Sequence, residues 1–380
     1  MPHPDKIRVA VLYGGRSGEH EVSLLSAANI IRYLDRLQFE VIPIGIDKQG
    51  VWFLGDHENL LTESNTLKLL SEKERMLFKP TAIGKQLQHA QPNMLSLKHS
   101  ERIFDVVFPA IHGVLCEDGT VQGLLELADV PYVGCGVLSS AIGMDKDVSK
   151  RLIRDAGINV ASYITFKQGD WQQDPTYWCE TVTQKLRYPV FVKPANMGSS
   201  VGIEKIKQKQ DLTAAINRAF QYDTKVVIEQ AINAIELEVA VLESLHYGNE
   251  PIVSVVGEVK PSHEFYSYAA KYLDEKGAEL IIPTSISEKL QNKAQQIAKK
   301  IFTALECESM ARVDLFLDKD SNEIYFNEVN TIPGFTKISM YPKLLDASGI
   351  NYSDLLTHLV KLAMNRHTRK SKLCYEYAGG

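Results

Sequence analysis

Three stretches of the chain carry residue types at spacings that chemistry can use. The first is Lys193-Pro-Ala-Asn-Met-Gly198-Ser199-Ser200-Val201-Gly202. It is rich in glycine and serine, and a lysine stands at its entrance. Successive backbone N–H groups in such a turn form an anion nest, and an ammonium at its edge supplies a point charge for phosphate. No Walker A pattern occurs anywhere, and neither do the H-R-D and D-F-G of a protein kinase. The alternative is a flexible hairpin tip.

The second stretch is a pair, Ala311-Arg312-Val313-Asp314-Leu315 and Asn327-Glu328-Val329-Asn330-Thr331. The strong turn sequence Asp318–Glu323 between them predicts a hairpin. Side chains alternate along a strand, so Arg312 and Asp314 share a face, as do Glu328 and Asn330. A hairpin centred near Ser321 sets Asp314 opposite Glu328 and Arg312 opposite Asn330. Opposed carboxylates repel unless a cation lies between them. Asp, Glu and Asn are hard oxygen ligands, suited to Mg²⁺ shared with phosphate oxygens. The alternative is a solvated strand face, but the same register places Phe316 and Phe326 on it. A slip of one residue would separate the carboxylates. The third stretch, Pro333-Gly334 just past the strand, forces a turn. Its backbone N–H groups suit an oxyanion; a plain turn is the alternative.

The elements that must position these residues follow from the apolar pattern. Ile7–Tyr13 reads as a buried parallel strand, with a Gly14–Gly18 turn and a helix over SLLSAANIIRYL from Ser23. Phe39–Ile46 and Phe104–Ala110 read as strands of the same sheet. Residues 56–103 read as an added helical or hairpin segment. Gly119–Leu127 and Ser139–Ala156 read as helices. Strands are expected at 188–194, 201–206, 226–230, 237–245 and 252–258. Helices are expected at Asp211–Tyr222, Ser287–Leu305 and near Tyr352–Ala363, and the tail from His367 reads as frayed. The class is therefore multidomain α/β and α+β. The expected units are 1–140, an open α/β domain, 141–230, a small lobe with the glycine-rich loop, and 231–365, a large lobe, followed by the tail 366–380.

Composition narrows the function. With 380 residues, 42 basic and 47 acidic, the net charge is −5. That balance argues against a nucleic-acid or membrane-surface protein. No apolar run approaches the ~20 residues of a membrane span. The 5 cysteines form no C-x-x-C pair, which fits a reducing cytosol.

The sequence closely resembles the D-alanine–D-alanine ligases of the ATP-grasp superfamily, from about Ile7 to Ala363. The resemblance rests on GGRSGEHEVS (14–23), HGVLCEDGT (112–120), GMDKDVSK (143–150), VKPANMGSSVG (192–202), EFYSYAAKY (264–272), ARVDLF (311–316) and NEVNTIPGFTKISMYP (327–342). It implies an amino-terminal domain ahead of a two-lobed ATP-grasp fold. It also implies ATP-dependent joining of two D-alanines through a D-alanyl phosphate, for bacterial peptidoglycan synthesis. Lys146, Lys193 and Lys271 then match residues on the ATP phosphates, Glu229 the nucleotide hinge, and Glu236 the ribose. Asp314, Glu328 and Asn330 match the ligands of Mg²⁺ or Mn²⁺, with two ions expected. Glu21 matches the carboxylate facing the ammonium of the first D-alanine, with His112 nearby. Arg312 and the N–H of Gly334 match the oxyanion donors, and Ser339 the group binding the second carboxylate. Tyr272 matches a loop latch formed with Glu21 and Ser199. A cytoplasmic homodimer without nucleic-acid or membrane partners is implied. The competing readings are a D-alanine–D-lactate ligase, disfavoured by Tyr272, and an inactive nucleotide-binding module.

Overall fold

The computed structural model describes residues 6–54, 76–78, 104–261 and 278–375. Three sheets follow one another along the chain. The first comprises β1 (Ile7–Gly14), β2 (Phe39–Ile46), β3 (Trp52–Leu54), β4 (Met76–Phe78) and β5 (Val106–Pro109), in the order β4-β3-β2-β1-β5. β1 runs parallel to β2 and β5, while β3 and β4 extend the edge antiparallel. The near-continuous Ile7–Tyr13 apolar run is what a parallel strand covered on both faces needs. Helix α1 (His20–Tyr33) links β1 to β2. It begins three residues before the expected start, and this shift bears on the site below. Most of the expected 56–103 insertion lies outside the described residues; β4 shows that part of it pairs as a strand.

Helix α2 (Thr120–Leu127) leads to α3 (Val137–Met144) and α4 (Lys146–Asp155). The reading of one helical stretch across 139–156 gives way to two helices. The Asp145 side chain accepts the N–H groups of Asp147 and Val148, so it caps a new helix. The second sheet holds β6 (Tyr163–Lys167), β7 (Val190–Pro194), β8 (Glu204–Ile206) and β9 (Lys225–Gln230), in the antiparallel order β6-β9-β7-β8. α5 (Gln168–Gln173), α6 (Pro175–Lys185) and α7 (Leu212–Ala219) accompany it.

The third sheet holds β10 (Ala234–Leu242), β11 (Ile252–Pro261), β12 (Ala278–Ile281), β13 (Met310–Asp318) and β14 (Ile324–Asn330), in the order β12-β11-β10-β13-β14. Helix α8 (Glu288–Ala304) buries Ala294, Ala298 and Ile301 against Val239, Val313 and Leu315 of this sheet. α9 (Met340–Ala347) and α10 (Tyr352–Lys370) close the chain. Their apolar faces do not form a separate core. Leu355, Leu359 and Val360 of α10 pack in one cluster with Val9, Val11 and Phe108 of the first sheet.

The expected fraying from His367 is corrected, because α10 runs on to Lys370. Its last turns are held by polar contacts that no apolar periodicity reveals. Arg366 is buried and donates to the carbonyls of Tyr132 and Gly134, both at 2.7 Å. His367 lies 2.8 Å from Asp129, and Lys370 lies 2.6 Å from Glu126. Among the described residues no helix is long and apolar enough to cross a membrane.

Candidate active site

The strand-built end of the site comes from β10, β13 and β14. Asp314 pairs with Glu328 and Arg312 with Asn330, in the register that the turn position predicts. β10 adds Glu238 directly opposite Asp314 on the other side. Arg312 makes a two-pronged contact with Asp314, Nε to Oδ1 and Nη2 to Oδ2, both at 2.7 Å. It also lies 3.0 Å from Glu238. Asn330 donates to Asp314 at 3.0 Å. One detail differs from expectation. The register shifts just after Asp314, so that Leu315 faces Phe326 and Asn327 is extra. Such a bulge re-aims the side chains beyond it. Phe326 therefore enters the core beside Leu315, and only Phe316 lines the cleft.

Asp314, Glu328 and Asn330 offer hard oxygens but few of them. Among the described residues no group of three or more His, Cys, Asp or Glu stands close enough to hold a metal. This donor set fits a divalent cation that completes its shell with phosphate oxygens and water.

Next to this end lies a cavity of about 560 Å³ between the second and third sheets. Lys146, Lys193, Glu229, Glu236 and Glu328 line it. Lys146 donates to the carbonyl of Met197 in the glycine-rich loop at 2.7 Å and lies 3.6 Å from Glu328. Lys193 meets Glu229 at 2.9 Å, and Lys150, from one turn after Lys146, meets its other oxygen at 3.1 Å. Burial pushes the Glu229 carboxyl up, but the Lys150 and Lys193 ammoniums outweigh it and hold it below the usual range. In the loop, Ser199 and Ser200 take left-handed backbone conformations, φ 50° and 60°. At Gly202 a Cβ would stand 2.7 Å from Tyr222 and 2.8 Å from Pro194, so the turn requires glycine. Lys271 and Tyr272 lie outside the described residues.

At the helix-built end, the structure does not bring Glu21 to the site. Glu21 pairs with Lys48 at 2.5 Å, and both side chains are more than half exposed. Glu19 stands there instead. It is buried at the N-cap position of α1 and accepts a hydrogen bond from the Ser199 hydroxyl. Two glycines leave it room: a Cβ at Gly113 would stand 2.5 Å from Glu19 Oε2, and one at Gly198 3.1 Å. Successive helical residues are turned by about 100°. The first helical turn therefore carries Glu21 around to the far side. Glu117 lies nearby and accepts from the Gly113 N–H at 3.0 Å. Burial, then the neighbouring Glu19, pushes its carboxyl well above the usual range.

His112 is buried, with Nε2 2.9 Å from the Ser26 hydroxyl. Burial lowers its pKa to about 4, so it is neutral at pH 7. Ser26 also accepts from the N–H of Phe335 at 3.2 Å, which ties His112 to the turn after β14. In that turn the Ser339 hydroxyl accepts from the N–H of Thr336 at 2.9 Å. A Cβ at Gly334 would stand 2.7 Å from Ser339 Oγ, which explains the glycine. Glu19, Glu117, Glu238 and Lys150 were missed by the sequence reading. Only Glu238 carried a local signal, two residues after Glu236 on one strand face.

Known proteins resemble this chain over nearly its whole length. The family described as D-ala D-ala ligase N-terminus matches residues 8–135, and D-ala D-ala ligase C-terminus matches residues 152–361. A D-alanine–D-alanine ligase A of Bradyrhizobium diazoefficiens is 50% identical, covering 98% of this chain and 99% of the relative. A D-alanine–D-alanine ligase of Caldicellulosiruptor bescii is 47% identical, covering 98% and 100%. Among solved structures, the D-alanine-D-alanine ligase from Coxiella burnetii superposes with a TM-score of 0.77 at 33% identity, covering 97% of each chain. The VanG D-Ala:D-Ser ligase from Enterococcus faecalis superposes with a TM-score of 0.77 at 37% identity, covering 94% of this chain and 100% of that one. With two family descriptions spanning most of its residues and relatives this similar from end to end, the chain belongs to the D-alanine–D-alanine ligase family.

Proposed function

We propose that this chain is the ligase that joins two D-alanines with ATP, releasing ADP and phosphate. The observation that carries the reading is that the glycine-rich loop joins two ends: Lys146, bonded to it, lies 3.6 Å from Glu328, and its Ser199 meets Glu19. The arginine–carboxylate cluster of β13 and β14 lies at one end, and the buried Glu19–Ser199 contact at the other. Lys146 and Lys193 bind the ATP phosphates, with Lys271 from outside the described residues. Glu229 takes the adenine edge and Glu236 the ribose hydroxyls. Asp314, Glu328 and Asn330 hold Mg²⁺ or Mn²⁺, two ions in this reading. When bound there, the cation would supply screening of the phosphate charge.

Phosphoryl transfer to the first D-alanine carboxylate gives an acyl phosphate and ADP. The amine of the second D-alanine attacks its carbonyl carbon. Arg312 and the N–H of Gly334 stabilise the tetrahedral oxyanion. Collapse breaks the C–O bond to phosphate, which leaves, and the amine loses a proton. Glu19, in place of Glu21, faces the first ammonium beside His112. Ser339 binds the second carboxylate, and Tyr272 latches the loop with Ser199. The product serves bacterial peptidoglycan synthesis, and we assign the enzyme to the cytoplasm as a homodimer.

The likeness to a D-Ala:D-Ser ligase supplies a second reading, in which D-serine is the second substrate. One assay separates the two. Phosphate release is followed with ATP and Mg²⁺ plus D-alanine alone, L-alanine, or D-alanine with D-serine or D-lactate, and products are identified by mass. D-alanyl-D-alanine from D-alanine alone is expected. Turnover only with D-serine or D-lactate would overturn that substrate assignment. No release with any of them would overturn the ligase reading.

A further inference from the structure

Behind the nucleotide cavity lies a buried ion triad with unequal arms. Glu229 is the shared carboxylate, with 2% of its side chain exposed. Lys193 contacts one oxygen and Lys150 the other. The two lysines differ in what they can reach. Lys193 and Glu229 line the cavity, whereas Lys150 does not. Lys150 is 1% exposed, and its ammonium sits 5.7 Å from the centre of the Phe326 ring and 3.5 Å from the Asn327 carbonyl. The body of the protein thus encloses Lys150, while Lys193 faces the space that phosphate would occupy. Among the described residues Glu229 is the sole ionic partner of Lys193.

This creates a problem for nucleotide binding. If Lys193 moves to phosphate, Glu229 loses one of its two counter-ions inside the protein. A buried carboxylate left alone is strongly unfavourable, and it responds by taking up a proton. A second, immovable ammonium removes the difficulty. Both ammoniums hold the Glu229 carboxyl down, and Glu328 of β14 bears on Lys150 in turn. We propose that Lys150 is a positioning residue. It stays on Glu229 as the resident counter-ion, so that Lys193 can exchange Glu229 for the nucleotide phosphates. The inference rests on the functional reading above, in that Lys193 is taken to bind phosphate.

The test is calorimetric titration of the whole chain with Mg²⁺ and a non-hydrolysable ATP analogue. It is run in two buffers of different ionisation enthalpy, so that protons taken up on binding are counted. Lys150→Met should bind about 10- to 100-fold more weakly. It should also take up about one more proton per nucleotide than the wild type, because Glu229 protonates as Lys193 departs. Lys150→Arg should recover most of the affinity and remove the extra proton. A folded Lys150→Met with wild-type affinity and proton count would overturn the proposal. So would weaker binding with no extra proton and no rescue by arginine, which would mark a purely structural support. Should Lys150→Met fail to fold, Glu229→Gln offers a second route. With no carboxylate to neutralise, adding Lys150→Met to it should cost less than about three-fold in affinity. A further ten-fold loss would overturn the proposal. A wild type that binds no nucleotide would overturn the functional reading together with this inference, an outcome distinct from a failure confined to the variants.

Discussion

Arg312 is gripped from two sides within one sheet, by Asp314 on its own strand and Glu238 on the next, whereas Glu19 is held by a hydroxyl from another part of the chain. The strand-built end is complete once β10, β13 and β14 have paired. The helix-built end needs three separate segments to meet: the start of α1, the loop at Gly113, and the glycine-rich loop at Gly198–Ser199. One end is thus organised by backbone register, and the other is assembled by docking. Charge stabilisation that must exist before reaction suits the first design. A contact that forms only when lobes are together suits the second.

The sharpest way to break this contrast is Arg312→Ala. It should lower kcat by about 10³-fold with little change in the KM for ATP, read from phosphate release at saturating substrates. A loss of only a few-fold would show that the strand-built end does not bear the developing charge. Glu19→Gln should lower kcat/KM for D-alanine by about 10²-fold, and Glu21→Gln by less than about two-fold. The reverse order would restore Glu21 to the site. His112 sharpens the comparison through pH. Its folded pKa of about 4 lies below the ordinary 6.5, so the unfolded chain binds a proton that the native site refuses. The native state therefore loses stability as pH falls below 6.5. Between pH 7 and 5 the loss should reach about 2 kcal/mol more than in His112→Asn, measured by urea unfolding of both. Ser199→Ala should cost about ten-fold in kcat/KM, the worth of one hydrogen bond to a charged group. Smallest of all, Lys48→Met should change stability by less than ~0.5 kcal/mol, since its pair with Glu21 is exposed.

Legibility in the sequence follows the same division. Strand alternation and a strong turn were enough to place Asp314 against Glu328 and Arg312 against Asn330. The bulge at Asn327 was not legible, because nothing in Phe326-Asn327-Glu328 marks an extra residue, and so Phe326 was placed on the wrong face. The carboxylate of α1 depended on where the helix begins. Beginning it at Ser23 leaves Glu19 and Glu21 equivalent in a loop, whereas beginning it at His20 separates them by two helical positions. Resemblance carried the match to Glu21, and only the folded geometry tells the two apart. Lys150 is not legible in the sequence, because a lysine one turn after another on a helix has the pattern of a solvated face. The partner that buries it lies 79 positions away.

The core shared by β1, β5 and α10 has a consequence for how the protein is made. Residues 9 and 360 meet in one apolar cluster, so the first sheet emerges with α1 on that face but without the part of its cover that α10 supplies. Roughly 250 residues must still be added after β5 before α10 exists. At about 5–20 residues per second, that is an interval of tens of seconds or less. During it, the part of that face that α10 covers stays open to chaperones or to mistaken partners. The amino-terminal third is thus synthesised first yet finished last.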